Sequence, residues 1–114
     1  MDTQAKDILN LLETQGWQLT EKENPLSKSY WWVWEFWTLK KNDVSFTLTF
    51  LIDPQEQKKK ETVWAVTATS KEPLDRHEAE RGLFLGLGRH WENKLPEFIS
   101  AITKTNWGQQ SDNR

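Results

Sequence analysis

Residues 30–37 read Tyr30-Trp31-Trp32-Val33-Trp34-Glu35-Phe36-Trp37, a run with six aromatic side chains in eight that holds four of the chain's eight tryptophans. Each such ring brings roughly 150–250 Å² of surface that folding can remove from water. At about 25 cal/mol per Å², one fully buried tryptophan contributes on the order of 5 kcal/mol as an upper figure. So apolar a run belongs at least in part to a core, and its aromatic composition suits a strand. Strand alternation then divides it. Tyr30, Trp32, Trp34, Phe36 and Thr38 fall on one face, and Trp31, Val33, Glu35, Trp37 and Leu39 on the other.

Only the odd-numbered face carries a charge in its middle, so the even face is expected to be core. The next strand supports that assignment. Val44-Ser45-Phe46-Thr47-Leu48-Thr49-Phe50 is apolar at every even position and hydroxyl-bearing at every odd one. Directly paired residues share a face, so joining even to even needs an odd number of loop residues, and Lys41-Asn42-Asp43 would supply three. A two-residue turn would instead turn Trp31, Val33 and Trp37 inward, with Glu35 among them.

Working outward, the N-terminal segment has the pattern of a helix. Asp2 or Thr3 can cap it, Ala5, Ile8, Leu9 and Leu12 recur at helical spacing, and Gly16 can end it with φ > 0. Residues 17–22 alternate as a half-buried strand, the aromatic strand runs from about 29 to 40, and Thr62 to Thr69 forms a fourth. Two helices are expected to follow. Asp75 with Glu78 has capping-box spacing, and Ala79, Leu83, Leu87 and Trp91 fall near one face. Pro96 suits a first turn ahead of Phe98, Ile99 and Ile102. Gly82, Gly86 and Gly88 weaken the first of these helices by about 1 kcal/mol each, leaving a strand through Leu83-Phe84-Leu85 as the alternative. The fold class is therefore α+β, a four-stranded antiparallel meander with one N-terminal and two C-terminal helices. Residues 1–108 form a single domain and 109–114 a frayed tail.

Composition narrows the function classes. With no cysteine among 114 residues, disulfides, thiolate catalysis and cysteine-bearing zinc sites are excluded, which points to a reducing, cytoplasmic setting. There is no signal-like N-terminus and no apolar run of membrane-spanning length. Residues 1–52 carry five basic and seven acidic side chains and residues 53–114 ten of each, so no basic footprint recommends nucleic acid. His77 and His90 are the only histidines; neither lies in a metal-ligand or triad motif, and the glycines match no phosphate loop. The sequence calls for no cofactor, no metal and no catalytic residue.

Two binding readings remain. In the first, the chain is a non-enzymatic interaction module whose odd face, with Trp31, Val33, Trp37 and Leu39, meets a protein partner or a second copy. One of the helices lying over that face is the competing expectation. In the second, a small ligand or single-stranded nucleic acid binds where the loops 23–29 and 53–61 meet. Tyr30, Trp31, Lys58, Lys59 and Lys60 would contact it there, with stacking contributing about 1–3 kcal/mol per base.

Overall fold

The computed structural model describes residues 2–25, 30–52 and 63–107. Along the chain these form α1 (Asp2–Thr14), β1 (Gln18–Glu23), β2 (Val33–Lys41), β3 (Val44–Ile52), β4 (Val63–Thr69), α2 (Arg76–Glu80), β5 (Leu83–Gly86), a 3-10 turn (Trp91–Asn93) and α3 (Leu95–Lys104). The strands make one antiparallel sheet in chain order, β1-β2-β3-β4-β5. The class is α+β, as the sequence predicts, with a fifth strand where most of a helix was expected. Glycines at 82, 86 and 88 resist a helix, whereas alternation sends Leu85 into the core and Phe84 out of it. Of that helix only the five residues of α2 remain.

β2 corrects the expected facing. Its turn to β3 has two residues, Asn42 and Asp43, with Lys41 opposite Val44, and Asn42 takes φ 57°, a left-handed value that asparagine tolerates. Trp37 therefore pairs with Leu48 and Leu39 with Phe46. These odd-numbered residues of β2 join the even-numbered residues of β3 in the main core. The two-residue turn does not carry the alternation back to Val33, because β2 holds one extra residue. Val33 opposes Leu51 and Glu35 opposes Phe50, so Trp34 is a bulge. A bulge places two consecutive side chains on one side. Trp34 accordingly packs against the main core, 5.6 Å edge-on from Phe50, while Val33 belongs to the opposite side. Similar extra residues occur at Thr20 in β1 and Trp64 in β4.

The main core lies between the sheet and two helices. From α1 it takes Ala5, Ile8 and Leu12, and from α3 Phe98, Ile99 and Ile102. Gly16 ends α1 at φ 95°. The last turn of α1 has no basic residue, but the Lys41 side chain lies against Gly16 and brings its ammonium to that helix end. Phe46 is held between two indoles, Trp17 edge-on at 4.7 Å and Trp107 stacked at 5.0 Å. Trp107 Nε1 donates to the Ile102 carbonyl at 3.0 Å and thereby closes α3.

β4 and β5 are not joined by a tight turn. Residues 70–82 instead make an excursion that includes α2. Asp75 Oδ1 accepts from the Glu78 N–H at 2.8 Å, and Glu78 Oε1 accepts in return from the Leu74 N–H at 3.0 Å. The chain re-enters the sheet at Gly82, where a Cβ would stand 2.2 Å from the Ala68 carbonyl oxygen. Gly88 has open space around it. Gly82→Ala should therefore destabilise the fold by more than about 1 kcal/mol in urea denaturation. Gly88→Ala should leave the midpoint within about 0.5 kcal/mol of wild type.

Candidate functional site

The side of the sheet away from α1 and α3 carries a second, smaller apolar cluster. Trp32, Val33, Phe36, Leu51, Ala65 and Ala79 form it, with Tyr30 and Trp64 packed against it. The segment preceding β2 folds back over its own strand: Tyr30 meets Phe36 edge-on at 5.4 Å, and Trp32 meets it edge-on at 6.4 Å. The Trp32 carbonyl accepts from the Ile52 N–H at 2.8 Å, which fixes this segment to β3. Across the sheet, register aligns Phe36, Thr49, Thr67 and Phe84 in one row and Thr38, Thr47 and Thr69 in the next.

The excursion between β4 and β5 crosses this side as a strap. Pro73 is fully buried. Glu72 reaches the far edge of the sheet, where its carboxyl hydrogen-bonds Glu23 and also faces Glu21. Beneath this cover Thr49 and Thr67 are inaccessible, and neither hydroxyl has a hydrogen-bond partner among the described residues. Trp64 Nε1 is likewise buried and unpaired. Unmet buried polar groups cost about 1–3 kcal/mol each, and of the four among the described residues three lie on this side and one, Trp17 Nε1, in the main core.

The expected contact residues separate here. Trp37 and Leu39 are buried in the main core and Val33 in the second cluster, leaving Trp31, 44% exposed, as the one expected anchor at the surface. Glu35, expected to mark a solvent face, instead accepts a 2.7 Å hydrogen bond from Trp37 Nε1, while Lys22 Nζ lies 4.7 Å from that ring's centroid. Tyr30 is half-buried against Trp32 and Phe36. Lys58, Lys59 and Lys60 lie outside the described residues, as do residues 26–29 and 53–61 of the loops expected to meet there and the C-terminal tail. His77 and His90 are both exposed, and His90 takes φ 66° at the start of the 3-10 turn.

Two further exposed apolar residues went unassigned in the sequence, Leu74 at 77% and Phe84 at 46%. Leu74 sits on the strap. Phe84 lies 5.6 Å from Trp64 on the same side of the sheet. The signal for Phe84 was the strand alternative through Leu83-Phe84-Leu85, which sets it opposite its two neighbours. Leu74 had no signal, because its exposure depends on how the strap lies.

Surface clefts of about 510 and 440 Å³ at the turn end of the sheet share Thr105 and Trp107 as lining. The indoles there, Trp17 and Trp107, are buried, so they offer no ring face for stacking. Among the described residues no group of His, Asp and Glu side chains could hold a metal, and no helix is long and apolar enough to cross a membrane. No protein-family model, curated protein or solved structure matches the chain.

Burial, the hydrogen bond with Glu23 and repulsion from Glu23 and Glu21 raise the Glu72 carboxyl above its usual 4.5. A carboxyl raised by folding stabilises the fold while protonated, and that contribution is lost as pH climbs through the raised value. Glu72→Gln should therefore raise the urea midpoint at pH 7 and have little effect at pH 4, where the wild-type carboxyl is largely protonated.

Proposed function

We propose that the chain is a non-enzymatic protein-interaction domain that works through the strap-covered side of its sheet. Trp31, Leu74 and Phe84 are its contact residues, with Trp64 behind Phe84. One observation carries this. Of four exposed large apolar side chains among the described residues, Phe84 is on that side, Leu74 is on the strap that crosses it and Trp31 is in the segment that folds back over it, whereas the fourth, Leu11, is on α1. Isolated apolar residues on a surface need no explanation, but aromatic residues gathered on one side are the usual anchors of an interface.

Size sets the kind of interaction. The exposed parts of Trp31, Leu74 and Phe84 amount to on the order of 300–400 Å². A standard interface removes roughly 800 Å² from each partner. The contact is accordingly transient, and the domain folds without it. A cysteine-free chain also suits a reducing, cytoplasmic setting.

Photo-crosslinking tests this directly. A benzoyl-phenylalanine side chain at Phe84 or Leu74 should give a discrete adduct in cells, and Trp31→Ala should reduce it severalfold. The same probe at Leu11 should give none. Equal adducts from Leu11 and Phe84, or none from any position, would contradict the assignment.

A further inference from the structure

The two edges of the sheet differ in kind. β1, at one edge, reads Gln18-Leu19-Thr20-Glu21-Lys22-Glu23 and carries the Thr20 bulge. Charge and a bulge are the usual devices that keep a strand edge from pairing with another chain. β5, at the other edge, reads Leu83-Phe84-Leu85-Gly86 and has neither. No charge follows until Arg89.

Alternate residues of an edge strand turn their N–H and C=O groups outward. β5 pairs only with β4, and no hydrogen bond between described residues reaches its outer edge. Phe84 and Gly86 are exposed on the strap side. An open, uncharged edge beside an exposed phenylalanine is a template for another extended strand.

We propose that the strand it takes is β5 of a second copy, paired antiparallel about a two-fold axis normal to the sheet. This rests on the interaction side described above and names a partner for its Phe84 edge. Directly opposed residues share a face, so the axis passes between one Phe84 and Phe84 of the second copy, an aromatic cross-strand pair. Leu83 then opposes Leu85, Gly82 lies opposite Gly86 with its N–H already donated to the Ala79 carbonyl, and no charge meets a like charge within the paired segment. β1 could not do this, since Glu21, Lys22 and Glu23 crowd that edge. A net charge of −2 sets little repulsion between copies. Four residues of edge plus the Phe84–Trp64 patch fall short of a standard interface, so the pairing is weak and forms as concentration rises.

The test uses the full chain. Gly88 has open space around it and the chain lacks cysteine, so Gly88→Cys accepts a single nitroxide without disturbing the fold. Mixed at millimolar concentration with isotope-labelled wild type, it should broaden amide signals of residues 79–86 of the labelled copy. Phe84→Lys in both copies opposes two ammonium groups at the axis and should remove the broadening, and a circular dichroism spectrum will report whether that variant folds. Phe84→Leu serves as the second variant and should retain broadening. Broadening at residues 18–23, or none at millimolar concentration, would overturn the proposal. Crosslinks from Phe84 to a different protein, without broadening, would keep the interaction side and overturn the strand-paired copy.

Discussion

The fold depends on the single extra residue that β2 inserts at Trp34. Pairing of Trp37 with Leu48 and of Leu39 with Phe46 sends the odd-numbered half of the strand toward the helices. Without the bulge, strict alternation would carry Val33 and Trp31 to that side as well and leave Trp34 on the other. With it, Trp34 and Trp37 fill the helix-side core, while Trp32, Val33 and Phe36 build a second cluster behind the sheet. One aromatic run thus supplies two cores. β3, which lies between them, is buried on both faces from Phe46 to Ile52.

The two cores are closed by different means, and this difference is what makes one side a candidate for function. α1 and α3 cover the first with continuous apolar stripes, and Trp107 locks the end of α3 through its indole N–H. The second is covered by a strap, a five-residue helix and the folded-back segment at Tyr30–Trp32. That cover leaves Thr49, Thr67 and Trp64 with unmet polar atoms and brings Glu72 against two other carboxylates. Low stability and exposed aromatic edges tend to occur together where a surface is meant to engage something else.

Much of the architecture was legible in the sequence because local chemistry constrains it. Alternation of apolar and hydroxyl residues fixed both faces of β3, and the helix-side face was assigned correctly. Asp75 and Glu78 do cap a helix, and Phe98, Ile99 and Ile102 are its buried successors in α3. What could not be read follows from how strands combine. Alternation sorts a strand's residues into two sets without saying which set faces the core. Asn42-Asp43 and Lys41-Asn42-Asp43 are equally polar, so turn length left no compositional trace. The Trp34 bulge is one aromatic residue among six. Threonine tolerates both exposure and cover, so Thr49 and Thr67 gave no hint that a strap lies over them. The carboxylate at Glu35 suggested solvent because strand alternation puts the Trp37 indole on the same face without showing that its N–H turns to Glu35.

The most direct test of this account is the register of β2 against β3, read from cross-strand nuclear Overhauser effects between backbone protons. The structure requires contacts between Trp37 and Leu48 and between Leu39 and Phe46, with Val33 reaching Leu51 across the bulge. Contacts between Phe36 and Leu48 and between Thr38 and Phe46 would show a three-residue loop and an unbroken strand. They would contradict the two-sided core on which the proposed interaction side depends.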